Sequence, residues 1–209
     1  MSLQDQARAI LRANDRGGYT LPTDGLYPFQ WNWDASVTAL GWMTMDPPRA
    51  WEELRWLFKG QWRGGPNDGF VAQINFHAHS DSYFPGPEEW GTDGAPGTEG
   101  IGTRTSSISQ PPLHTTMVRW MWQRACGPSA ASGAREYADD EIRRRLPKLV
   151  AHHRWWYRAR DPGQTGLVVN IHPWETGMDN SPAWDVPLAR VPETTRPYTR
   201  RDLGHVDAS

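Results

Sequence analysis

The segment His172-Pro-Trp-Glu-Thr-Gly-Met-Asp-Asn-Ser-Pro-Ala-Trp-Asp185 gathers the most chemistry in this chain. Glu175, Asp179 and Asp185 share it with Trp174, Trp184 and a Gly177-Met-Asp-Asn-Ser-Pro182 turn. A carboxylate left unpaired beside apolar rings is costly, so such a cluster is rarely structural alone. Rings next to carboxylates suit sugars, whose C–H faces stack on the rings and whose hydroxyls need acceptors. Among rings and other acids the charged form of Asp179 is disfavoured, so its pKa is expected to rise. A carboxyl protonated at neutral pH can serve as general acid. A plainer reading stands beside this one: Asp179 and Asn180 form turns readily, and Asp185 can cap the segment after it.

Three further groups carry chemistry. In Tyr27-Pro-Phe-Gln-Trp-Asn-Trp-Asp34, alternation on an extended segment puts Tyr27, Phe29, Trp31 and Trp33 on one side. Trp31 and Trp33 can then wall a sugar while Asp34 accepts from two hydroxyls; equally, Asp34 can cap the next helix above a core strip of rings. In Thr105-Ser-Ser-Ile-Ser-Gln-Pro-Pro112 the hydroxyls can cap a helix or satisfy loop backbone, and Gln110 can reach into a cavity as donor and acceptor. His77, His79 and Asp81 have spacing that could hold zinc, giving a zinc-dependent hydrolase as an alternative. The lack of a His after Asp81 and the following Tyr83-Phe-Pro-Gly-Pro87 argue against it. Solvated loop histidines or a substrate contact fit better.

These groups need elements to hold them. Apolar residues at helical spacing predict helices over 3–14, 34–45, 47–61, 111–126 and 137–160. Asp46 followed by Pro47 starts the third, and Gly127-Pro128 stops the fourth. Pro147 inside the fifth predicts a kink or a late start. His152 and His153 are expected one buried and one exposed, and Arg143, Arg144 and Arg145 on a solvated face. Strand signals are confined to 70–76 and 166–171. The connection 62–110, rich in Gly, Pro, Ser, Thr and Asp, is too long to be idle and reads as a site-building loop, most flexible over 91–104. The end at 192–209 is polar and aperiodic and is expected to be a poorly ordered truncated end.

At 209 residues the chain fits one domain or a piece of a larger one. Charge is balanced, 22 basic against 24 acidic residues. No basic stripe supports nucleic-acid binding and no polybasic run supports membrane docking. Apolar runs are too short to span a bilayer, and the opening Met1-Ser-Leu-Gln-Asp-Gln-Ala lacks a secretion leader, so a cytoplasmic location is expected. Cys126 is alone, so no intrachain disulfide forms. A mean hydropathy of -0.73 is low for a closed core, yet 13 Trp supply large rings.

Taken in order, Tyr27-Pro-Phe-Gln-Trp-Asn-Trp-Asp34, Ser82-Tyr-Phe-Pro-Gly-Pro87, Ser107-Ile-Ser-Gln-Pro-Pro112 and His172-Pro-Trp-Glu-Thr-Gly-Met-Asp-Asn-Ser-Pro182 resemble glycoside hydrolase family 63. The branch they look like is the bacterial mannosylglycerate and glucosylglycerate hydrolases. The resemblance covers nearly the whole chain, and its last motif is specific. It implies an all-α (α/α)6 toroid of the six-hairpin glycosidase type, incomplete here, with long loops and at most short β segments. Residues 1–209 would be the N-terminal part of that single catalytic domain.

The resemblance also implies that Asp179 is the general acid of an inverting hydrolysis. Tyr27, Trp31, Trp33, Asp34, Tyr83, Gln110, Trp174 and, beside Trp174, Glu175 would line the sugar pocket. The partner would be a small glycoside, with no cofactor. The family's general base is a late Glu outside these residues, and inversion needs a second carboxylate about 6.5–9.5 Å from the first. Gln73 stands where the family often carries a His contact. Arg104 is a candidate cation for a glycerate carboxylate. The chain alone is expected to hydrolyse little and to associate into homo-oligomers, because half a ring leaves helix faces unburied. A non-catalytic sugar-binding protein on a degenerate barrel is the alternative from a different class.

Overall fold

Helix α1 (Leu3–Ala13) begins with a reciprocal cap: the Ser2 hydroxyl accepts from the Asp5 amide, and the Asp5 carboxylate accepts from the Ser2 amide, each at 3.2 Å. Asp46 likewise caps α3 (Pro47–Leu57), accepting from the Arg49 amide at 3.0 Å, and a single 3-10 turn at Phe58–Gly60 ends it. The other helices are α2 (Asn32–Trp42), α4 (His114–Ala125), α5 (Ala134–Arg160) and the short α6 (Asp185–Leu188). The computed structural model describes residues 1–192. The end expected to be poorly ordered, 192–209, lies past its first residue outside the described residues.

Several starts differ from the sequence expectation for local reasons. Helix α2 begins at Asn32, ahead of the expected Asp34, because strand β1 (Gln30–Trp31) feeds straight into it and the Asn32 amide donates to the Gln73 carbonyl at 2.9 Å. Trp31 occupies the cap position without a side-chain bond, so Asp34 is not the cap. It sits in the first turn, where the helix dipole favours an acid. Helix α4 starts later than expected because Pro111 and Pro112 keep the chain ahead of them extended. Helix α5 runs unbroken through Pro147. Arg145, expected on a solvated face, is buried: it donates to the Trp51 carbonyl at 2.7 Å and pairs with Glu141.

Four helices pack as neighbours in the order α3, α2, α4, α5. Small residues let them approach: Ala35 and Ala39 of α2 and Ala50 of α3 have almost no exposed surface. Trp51, Leu54 and Leu57 of α3 fill the seam, with Val118 and Met121 of α4 and Leu149 of α5. Each such large side chain contributes about 1.5–3 kcal/mol by burial.

The long connection builds a small antiparallel sheet, ordered β1, β2 (Ile74–Phe76), β3 (Arg104–Thr105). Trp31 lies opposite Ile74, and Asn75 opposite Thr105. The strand expected over 70–76 is thus confined to its end. The one expected over 166–171 does not form: Leu167 is 76% exposed, and a Val169 amide bond to the Arg160 carbonyl serves where no partner strand lies alongside among the described residues.

A buried polar network fixes β1 to the helices. Glu53, without exposed surface, accepts from Gln30 Nε2 at 2.7 Å, from the Thr20 hydroxyl at 2.7 Å and from Arg49 at 2.9 Å. Removing one partner from so buried a pair leaves an uncompensated charge. The network therefore sets where β1, and the tryptophans beyond it, stand.

Candidate active site

The rings of the first motif do not form one row. Trp31 is 4% exposed, edge-on to Tyr27 and to Tyr83 at 5.1 Å each, and stacked on Phe29 at 6.0 Å. Phe76 closes the cluster from β2. Tyr27 and Tyr83 are half-buried at its rim, while Trp31 lies largely inside it. Trp33 belongs to the first turn of α2, where a helical rather than an extended backbone turns it away from the other three rings. It is half-buried, as is Asp34.

Three segments meet at Trp33. Its amide donates to Gln110 Oε1 at 3.4 Å. Next to Gln110, the Ser109 amide donates to Glu175 Oε1 at 3.1 Å. Gly177, two residues on from Glu175, lies on the Trp33 ring. The Ser106 and Ser109 hydroxyls do not cap α4: Ser106 Oγ accepts from the Ile74 amide at 3.0 Å, and Ser109 Oγ donates to the Val71 carbonyl at 2.7 Å.

Both acids of the site are held above the usual carboxylate range. Burial pushes Asp34 to about 6, with its own amide and the Trp33 side chain pulling back less strongly. Burial also raises Asp179, opposed by the His172 ring and by its own amide. Asp179 itself is exposed, in an exposed turn with Met178 and Asn180. Trp33 and Asp34 also line a largely apolar groove of about 630 Å³ between α1 and α2, with Ile10, Leu11, Val37 and Leu113.

Trp174 stands 5.1 Å from the His172 ring and 6.3 Å from Trp90. Trp90 packs against the Trp31 and Tyr83 cluster, so it joins the two aromatic groups. Its sequence signal is weak, a lone Trp after two glutamates in an aperiodic loop. Arg160 is the other residue of the site that the motifs do not announce.

Other candidates are turned inward or already paired. Glu175 is not open to a substrate: it is 1% exposed, and its oxygens accept from Ser109, Arg160 and Ile171. Arg104 is already engaged, 2.7 Å from Asp93 and 2.6 Å from Glu88. His77 turns inward to Gln30 Oε1 at 2.8 Å, between the Tyr19 and Trp56 rings, while exposed His79 pairs with Asp81. Among the described residues no three His, Cys, Asp or Glu come together as metal ligands. Gln73 is buried, its Oε1 without a protein partner, and its backbone bridges Asn32 and Ile108.

The chain matches known proteins over this same arrangement. The profile of the mannosylglycerate hydrolase MGH1-like glycoside hydrolase domain covers residues 27–209. The chain belongs to the MGH1-like glycoside hydrolases. Mannosylglycerate hydrolase MGH1 of Selaginella moellendorffii is 51% identical over 205 residues, 98% of this chain and 38% of that protein. A glucosylglycerate hydrolase of Mycolicibacterium hassiacum is 37% identical over 205 residues, 96% of this chain and 44% of that one. The crystal structure of a GH63 mannosylglycerate hydrolase from Thermus thermophilus superposes with a TM-score of 0.82 at 48% identity, covering 99% of this chain and 46% of that one. The fold of this MGH1-like chain is accordingly that of the (α/α)6 toroids, with one small three-stranded sheet among its described residues. The chain spans less than half the length of these relatives. Among its described residues no helix is long and apolar enough to cross a membrane.

Proposed function

We propose that this chain is the acid-bearing part of an inverting α-glycoside hydrolase acting on a small glycoside, 2-O-α-mannosyl- or glucosyl-D-glycerate. Asp179 is the general acid. Protonated, it gives its proton to the glycosidic oxygen as the bond to the anomeric carbon breaks, and the glycerate leaves as a neutral alcohol. A water attacks that carbon from the opposite face, and its proton goes to a second carboxylate, a Glu outside residues 1–209. Inversion requires the two carboxyls to stand about 6.5–9.5 Å apart, with room for that water. Residues 1–209 then form part of a single (α/α)6 catalytic domain.

Trp33 supplies one ring-lined side of the pocket, and Tyr27, Tyr83 and Trp174, joined through Trp90, supply the other, with Trp31 behind them. Asp34 and Gln110 offer hydrogen bonds to sugar hydroxyls. The observation that carries the reading is the clamped turn: Gly177 lies on the Trp33 ring, and Asp179, two residues on, is a carboxyl whose pKa burial raises. The relatives' names supply the substrate class.

The test uses the full natural polypeptide that carries residues 1–209, incubated with each glycoside. Nuclear magnetic resonance follows the released glycerate and the first-formed anomer. Asp179→Asn is expected to lower kcat by roughly a thousandfold or more while the substrate still binds. Retained activity within about tenfold would remove Asp179 from the acid role. A wild-type polypeptide that binds the sugar without turnover would favour a binding protein instead.

A further inference from the structure

Glu175 belongs to the most specific motif of the chain, yet it meets no solvent. Its Oε1 accepts from the Ser109 amide at 3.1 Å and from Arg160 Nη2 at 2.8 Å, and its Oε2 accepts from the Ile171 amide at 2.9 Å. Arg160 is in turn held on the last turn of α5, its guanidinium 4.8 Å from the Trp155 ring centre. A buried ion pair is weak evidence for stability, because desolvating both charges cancels much of their attraction. Its fixed geometry is the more telling property, since three donors aimed at two oxygens leave one orientation for the carboxylate.

Those bonds close a ring of contacts just ahead of the acid in the chain. Trp33 binds Gln110 through its amide, and Ser109, beside Gln110, is itself tied to Val71. Ser109 binds Glu175, and Gly177 returns to the Trp33 ring. Asp179 comes two residues later. We propose that Glu175, anchored by Arg160, is the positioning residue of this site: it pins the turn bearing Asp179 to the segment bearing Gln110, and so fixes the acid's height over the Trp33 wall. This rests on the reading of Asp179 as general acid. Gly177 alone is a single point of support about which the turn can pivot; Glu175 supplies the second. Release of that second point lets the carboxyl drift outward by the order of an ångström, and misplacement on that scale costs about a hundredfold in rate.

The experiment compares wild type, Glu175→Gln and Arg160→Lys in the full natural polypeptide. Folded sites are counted by titration with the product sugar, followed by tryptophan fluorescence. Glu175→Gln keeps the shape but turns one acceptor oxygen into a donor facing donors. It is expected to lower kcat per folded site by roughly tenfold to a hundredfold while KM stays within about threefold. The alkaline limb of the kcat profile, which reports loss of the acid's proton, should move to lower pH as Asp179 loses the partial burial that raises it. Arg160→Lys keeps the charge but moves the single donor that reaches Glu175, so it should shift both readouts in the same direction by less, and it carries the test if Glu175→Gln does not fold. Unchanged kcat per folded site and an unmoved alkaline limb, with only a lower melting temperature, would overturn the positioning role and leave the acid assignment standing. A wild-type polypeptide that hydrolyses neither glycoside would overturn the acid assignment itself, and this inference with it.

Discussion

Gly177 rests against the Trp33 ring with no room to spare: a Cβ at position 177 would stand 2.4 Å from Trp33 Cη2, and the backbone there has φ of +67°. Both facts exclude a side chain. The left-handed backbone strains any L-residue, and the ring blocks the only direction a methyl could take. Gly177→Ala is therefore expected to cost about 1–3 kcal/mol of stability and about a hundredfold in kcat, because the Asp179 turn must lift off the ring. A double-mutant cycle with Trp33→Leu checks the contact. Steric conflict predicts stability losses well below the sum of the single changes, whereas additive losses would deny that the two residues touch in solution.

Much of this site was legible in the sequence because its parts are local. The turn Gly177-Met-Asp-Asn-Ser-Pro182 and the helix starts at Asp46 and Pro47 depend on neighbours along the chain, and the structure forms them nearly where periodicity and capping chemistry put them. What failed depended on partners far away. Ile74–Phe76 became a strand, and 166–171 did not, because only the former lies between two other strands. Glu175 reads as a pocket acid beside Trp174 until Ser109 and Arg160, remote in sequence, turn it inward. Arg145 reads as a solvated cation until the Trp51 carbonyl claims it. Trp90 bridges two ring clusters through contacts that no spacing encodes.

Asp34 is an acid kept at a cost. Burial among the walls of the α1–α2 groove lifts its carboxyl to about 6, above the usual carboxylate value. Below about pH 4 the carboxyl is protonated in both folded and unfolded chains, and the lift has no effect. As pH rises towards 6 the unfolded chain gives up its proton first, so folding loses free energy, and above 6 the full penalty remains. Asp34→Asn removes it. At neutral pH the substitution should stabilise the fold by about 1–2 kcal/mol, allowing for screening of a half-buried group, and the gain should vanish near pH 4. The same change should weaken sugar binding, a trade between stability and function. Urea midpoints of both proteins across pH decide it: a gain independent of pH would deny that Asp34 carries the shifted charge.

His114 and His152, together with His77, which burial lowers to about 3, tie the fold's stability to pH on the acid side. Their rings lie 4.7 Å apart between α4 and α5, both with almost no exposed surface. His152 uses both nitrogens in a neutral form: Nδ1 donates to the Gly69 carbonyl at 3.1 Å, and Nε2 accepts from Trp156 Nε1 at 3.0 Å. A proton on Nε2 would face the indole N–H and break that bond. His114 packs edge-on to Phe58 at 5.5 Å, and its Nδ1 has no partner. Burial lowers His114 to about 4 and His152 well below its usual value, and each ring's charge would repel the other. Between the unfolded value, about 6.5, and these lowered values, the unfolded chain binds protons that the native one refuses, so stability falls as pH falls. Each histidine steepens the loss by up to about 1.4 kcal/mol per pH unit, and above about pH 7 the effect is gone. Urea unfolding across pH should thus show a steep acid decline in the wild type. His114→Asn, which keeps a small polar group but does not titrate, should lower the plateau above pH 7 and flatten the slope below it. Equal slopes in the two proteins would mean that the α4–α5 seam already admits a charged ring.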